Sequence, residues 1–76
     1  MEELVKYIAK ELVDNPDEVK TAQREDDTAY IIELSVAPED IGKVIGKQGR
    51  IAKAIRTVVR AASAKSEKKY IVEIID

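Results

Sequence analysis

Cysteine, histidine, tryptophan and phenylalanine are all absent from this chain of 76 residues, and glycine, proline and tyrosine number only three, two and three. Each absence excludes something. Without cysteine no disulfide can form, and without cysteine or histidine the common zinc sites have no ligands, so neither staple supports so small a domain. Nucleophile and base pairings of the usual kinds are missing too. Serines stand only at Ser35, Ser63 and Ser66, and carboxylates alone define no site, so neither enzymatic activity nor a cofactor is expected. No segment approaches the roughly 18 consecutive apolar residues of a membrane span. Met1, Glu2 and Glu3 bring acids where a signal peptide carries bases. A cytoplasmic protein with no membrane partner is the expectation, in keeping with a cysteine-free chain in a reducing compartment.

What is present is a 45% apolar composition that must build one core. A domain of this length buries only about 60% of the surface its unfolded chain exposes, so residues 1–76 are expected to form a single domain of modest stability. The net charge is −2, which ordinarily argues against a polyanionic partner. Its distribution says otherwise. Residues 1–40 hold twelve acids and four bases, whereas residues 41–66 hold seven bases and no acid. The bases are Lys43, Lys47, Arg50, Lys53, Arg56, Arg60 and Lys65.

Hydrophobic spacing divides the chain into six elements. Leu4, Val5, Ile8, Ala9 and Leu12 predict a helix over residues 2–13, stopped by Asn15 and Pro16. Residues 18–24 form a weak strand candidate, and Glu25, Asp26, Asp27 and Thr28 a hairpin turn. Residues 29–36 alternate strongly, with Tyr30, Ile32, Leu34 and Val36 on one side. Pro38, Glu39 and Asp40 signal a helix start, and Ile41, Val44 and Ile45 give that short helix its apolar side. A second helix is expected over residues 51–64. At about 100° per residue, Ile51, Ile55, Val58, Val59 and Ala62 share one side and Arg50, Lys53, Arg56 and Arg60 the other. Residues 70–75 make a last strand. The order α-β-β-α-α-β predicts an α+β fold in which a three-stranded sheet carries three helices on one face. The first two strands form an antiparallel hairpin, and the crossover through the helix pair allows parallel pairing of the last.

All three glycines, Gly42, Gly46 and Gly49, lie within eight residues. A P-loop needs four residues between its glycines and then Lys followed by Ser or Thr; Gly42 and Gly46 have three residues between them and Gln48 follows Lys47. A dinucleotide fingerprint needs glycine where Val44 stands. What survives is G-x-x-G, Gly46-Lys47-Gln48-Gly49, between two helices. Bare glycine backbone allows a phosphodiester chain to approach closely, and the following helix start, Lys47 and Arg50 favour an anion. Gly42 is expected to permit close helix packing instead. With Tyr7, Tyr30 and Tyr70 the only aromatic residues, base stacking cannot supply most of the affinity.

The stretch Val44, Ile45, Gly46, Lys47, Gln48, Gly49, Arg50, Ile51 resembles the KH-domain signature, in the prokaryotic type II element order, over the whole chain. The continuation Ala52, Lys53, Ala54, Ile55, Arg56 is similar to the bacterial KH-domain protein A (KhpA) family. Ala52 departs from the larger aliphatic residue of KH domains generally. The resemblance implies single-stranded RNA as ligand, with a clamp on about four nucleotides. It implies Gly46, Lys47, Gln48, Gly49 and Arg50 at the backbone of the strand, and Ile41, Lys43, Val44, Ile45, Lys53 and Arg56 along a groove for the bases. It further implies a homodimer, or pairing with a larger KH-domain protein, and a role as RNA chaperone or post-transcriptional regulator linked to cell elongation and envelope synthesis. A second reading stands beside it. A small acidic chain with an exposed apolar helix side also suits a protein-interaction subunit whose own RNA contacts are minor.

Overall fold

The strongest strand of the sequence becomes the centre of the molecule, because its alternating side chains have helices to bury them on one side. The structure, a computed structural model, describes residues 1–75, with the backbone alone at Lys47. Strands β1 (Lys20–Glu25), β2 (Ala29–Ser35) and β3 (Lys69–Ile75) form one sheet in the order β1-β2-β3. β1 and β2 pair antiparallel, Gln23 opposite Ile32. β2 and β3 pair parallel, Tyr30 opposite Tyr70 and Ile32 opposite Val72. The hairpin turn is built by Asp26, whose carboxylate accepts from the N–H of Thr28 at 2.8 Å and of Ala29 at 2.7 Å. Those backbone bonds, with one from the Thr28 hydroxyl, hold the Asp26 pKa below its ordinary value. The first strand begins two residues later than its pattern suggested. Pro16–Glu18 makes a 3-10 turn instead, with Pro16 supplying a pre-set φ.

Helix α1 (Glu2–Leu12) precedes the hairpin, and the helical run α2 (Pro38–Ala62) lies between β2 and β3. α2 is not one rod. Gln48 and Gly49 have φ of +64° and +69°, and a right-handed helix cannot keep its axis through two left-handed residues. The run therefore has two arms, residues 38–47 and 50–62. With α1 they complete the α-β-β-α-α-β order of the type II KH fold. Val5 and Ala9 of α1, Val44 of the first arm and Ile55 and Val59 of the second close over Ile32, Leu34 and Val72 of the sheet.

The second arm sits on the core through Ala52, Ile55 and Val59, with Ile51 only partly covered. This corrects the expected face. Val58 is 39% exposed, and Ala62 is exposed as well. The rotation of the arm is set by the break at Gln48–Gly49, which the apolar spacing of the arm does not contain, and the small Ala52 packs within the core.

Among the described residues one charged side chain, that of Asp40, is fully buried. The Asp40 carboxylate, in the first turn of α2, accepts from the N–H of Asn15 at 3.0 Å, from Asn15 Nδ2 at 3.2 Å and from the N–H of Asp14 at 3.3 Å. It pins the connection after α1 to the start of α2. Burial pushes its pKa up, but the Asn15 and Asp14 hydrogen bonds and nearby Lys43 outweigh burial and leave it lowered. On the opposite face of the sheet, Arg24 reaches Glu33 at 3.1 Å and Glu73 at 3.3 Å, so its guanidinium spans all three strands.

Candidate nucleic-acid interface

The break between the two arms places Gly46, Lys47, Gln48 and Gly49 at an exposed corner. Gly49 needs glycine because its φ is +69°, a conformation that costs a side chain roughly 1–2 kcal/mol. Gln48 accepts that cost at φ +64°. A non-glycine residue held left-handed beside a glycine marks a corner whose shape is fixed by something besides local comfort. Gly46 differs, since its φ is not positive and a Cβ there would meet nothing within 4 Å. Its bare backbone serves no contact inside the molecule, and leaves room for one outside. The Lys47 side chain lies outside the described residues.

Gly42 does not have the role its position suggested. A Cβ on Gly42 would find open space, so close helix packing is not its reason. Val44 is also reassigned. Its side chain is fully buried under the first arm and holds that arm to the sheet, so it is not presented to a ligand. Ile41 packs partly against the same core. Ile45, by contrast, is 54% exposed next to the corner and is the aliphatic surface the first arm offers. Lys43 turns toward α1 and binds the Asp14 carboxylate at 3.0 Å, so its charge is already answered.

The second arm carries the free charge. Arg50, Lys53, Arg56 and Arg60 are exposed, and among the described residues none has a carboxylate within ion-pair distance. Their spacing of three, three and four keeps them on one side of the helix. Arg56 also donates to the main-chain carbonyl of Val72 at 3.4 Å, which ties the stripe to β3. The sequence reading stopped at this helix. It did not foresee that Lys68 and Lys69, a short loop beyond the end of the arm, join Arg60 and Ser63 in lining a basin of about 560 Å³. Adjacent lysines before a strand were the only available signal. Chemically the arrangement offers an open backbone corner, one exposed aliphatic side chain and a row of unpaired cations, which suits a flexible polyanion with small apolar contacts.

A family model described as the KhpA/KhpB KH domain matches residues 2–74. The chain is similar to the RNA-binding protein KhpA of Caldanaerobacter subterraneus subsp. tengcongensis, 65% identical over 75 residues that cover 99% of this chain and 100% of the relative. The RNA-binding protein KhpA of Listeria monocytogenes is 55% identical over 76 residues, 100% of both chains. That of Treponema pallidum is 51% identical over 75 residues, 99% of this chain and 94% of the relative. No solved structure matches.

Proposed function

The chain belongs to the KhpA/KhpB family of KH domains, and from that premise we propose that it is a single-stranded RNA-binding module rather than an enzyme. The observation that carries the reading is Gly46. Its missing Cβ relieves no contact in the protein, and it stands one turn before a row of cations without acidic partners. In this reading the amides of residues 46–50, with Lys47 and Arg50, hold the phosphates. Ile45 lies under the bases, with Ile41 behind it, and Lys53 and Arg56 follow the strand. Val44 supports that groove from below, and Lys43 contributes only if it leaves Asp14. The footprint is about four nucleotides, as in KH domains at large.

Four nucleotides give little affinity or sequence discrimination. Useful binding then comes from linking sites, through a homodimer or a larger KH-domain protein, because a second site on the same RNA raises the effective concentration. A cytoplasmic role as RNA chaperone or post-transcriptional regulator, connected with cell elongation and envelope synthesis, is the biological form of this proposal. Residues 1–76 act in it as one domain. Among the described residues no helix is long and apolar enough to cross a membrane.

The exposure of Ile45 also suits docking of a protein partner. One experiment separates the two. Fluorescence anisotropy of a labelled single-stranded RNA is compared for the wild type and a Lys47→Asp, Gln48→Asp double variant, with circular dichroism to establish that both fold. RNA binding by the wild type and loss in the folded variant is the expected result. Equal binding by both would remove the corner from the interface and favour the docking reading.

A further inference from the structure

Lys43 stands apart from the stripe on the second arm, because its ammonium is held at 3.0 Å by the carboxylate of Asp14, just beyond the end of α1. Neither partner is covered: the Lys43 side chain is 43% exposed and that of Asp14 75%. The pair is nevertheless built into the fold. The backbone N–H of Asp14 donates to Asp40 Oδ1 at 3.3 Å, and Asn15 gives the same carboxylate two more hydrogen bonds, at 3.0 and 3.2 Å. Asp40 lies one turn before Lys43 on the first arm, so a single turn of helix carries both the buried acid that pins Asp14 and the lysine that Asp14 then meets. Pinning the chain lowers the ordering cost that leaves most exposed pairs worth little. Among the described residues no other carboxylate is within ion-pair distance of Lys43. In the other direction Gly46 follows one turn along the same side of the arm. Lys43 thus flanks the open corner on the side that faces α1.

We propose that Asp14 is an intramolecular competitor for Lys43: a phosphate of the bound strand takes this ammonium only by displacing the carboxylate, and the contact keeps the affinity of the single domain low. The inference rests on the RNA-binding reading and deepens it, by naming a residue outside the interface that sets how tightly the interface binds. A carboxylate and a phosphodiester carry charge of the same sign, so holding both at one ammonium sets them against each other. The strand must therefore break an ion pair that folding has already assembled. A weak single site in turn fits a domain whose useful affinity comes from linked sites.

The test is a double-mutant cycle on Asp14 and Lys43, with affinity for a labelled oligouridine read by fluorescence anisotropy over a series of salt concentrations and circular dichroism to establish folding. Asp14→Asn keeps the backbone N–H that Asp40 accepts and changes only an exposed side chain. It should tighten binding by about two- to fivefold, the range set by an exposed ion pair, and steepen the log–log salt slope by about 0.7, one further phosphate. The same substitution made in a Lys43→Gln protein should alter neither. That arm of the cycle separates displacement from the mere loss of a negative charge, which would tighten binding whether or not Lys43 is present. If Asp14→Asn binds no tighter than the wild type, or tightens the Lys43→Gln protein equally, the competition is absent while the corner site stands. If neither the wild type nor Asp14→Asn binds the oligomer, the RNA-binding reading fails and the competitor falls with it.

Discussion

At Gly46 and Gly49 the same residue type has opposite reasons, and alanine separates them. Gly46 has a helical environment and open space at its Cβ position, so Gly46→Ala should raise stability by about 0.5–1 kcal/mol while weakening RNA binding several-fold. At φ +69° Gly49→Ala should instead destabilise by about 1–2 kcal/mol. Urea denaturation beside an RNA titration measures both effects, and a Gly46→Ala protein that binds RNA unchanged would deny the close approach. Asp40 sets a second residue-scale expectation. Its carboxyl pKa is lowered in the folded state, so its contribution is complete above the unfolded value of about 3.9 and is lost as pH falls through the folded one. Asp26 acts with the same sign. The thermal midpoint should be flat from neutral pH to about 5 and fall below about 4. Asp40→Asn should lower the midpoint at neutral pH and flatten the acid limb; an acid limb identical to the wild type would show that this carboxylate does not hold the α1 connection.

The second arm of α2 gives the sharpest comparison between elements as read and as folded. Helical periodicity placed Val58 and Val59 on one apolar side, yet Val59 is 1% exposed and Val58 39%. Val59→Ala should cost about 2 kcal/mol through lost burial and a residual cavity, and Val58→Ala about 0.5 kcal/mol or less. Chemical denaturation of the two variants decides it, and equal losses would place the arm in a different rotation. The cause is general. A 3.6-residue period finds the apolar stripe to within one residue, but the angle at which a helix rests on a sheet depends on its connection, and here that is two left-handed residues at Gln48 and Gly49. The strands were more legible because alternation has only two phases. Ile32 and Leu34 fell on the buried face as their pattern required, and the weak β1 was displaced only where Pro16 turned the chain.

Across the whole molecule, charge is segregated in a way that the net value of −2 conceals. Arg24, Lys43 and Lys68 are absorbed by ion pairs, and such exposed pairs contribute little to stability, about 0–1 kcal/mol each. Among the described residues the stripe on the second arm, Arg50, Lys53, Arg56 and Arg60, is left as a row of cations without carboxylate partners. A strand that engages three or four phosphates there should show a log–log salt slope of about −2 to −3. A slope near zero, measured by anisotropy at several salt concentrations on an oligomer that binds, would mean that the stripe is bystander surface. Stability belongs to this scale as well. With about 60% of its surface buried on folding, the domain has little margin against loss of a core residue.

The sequence by itself determined the α+β order, the G-x-x-G corner, the acid-free segment and the family, because each is a local pattern of spacing or composition. It also placed Lys47, Gln48, Gly49 and Arg50 together, being neighbours in the chain. Tertiary structure decided which candidates can meet a ligand. Val44 is spent on the core, Lys43 on Asp14, and Gly42 has no packing role, while Ile45 and the stripe remain open. The pairing of β3 with β2 leaves β3 as an edge strand beside the second arm, and the basin forms between them. Such proximities join residues distant in the chain through the register of strands and the seat of a helix, and no local pattern encodes either.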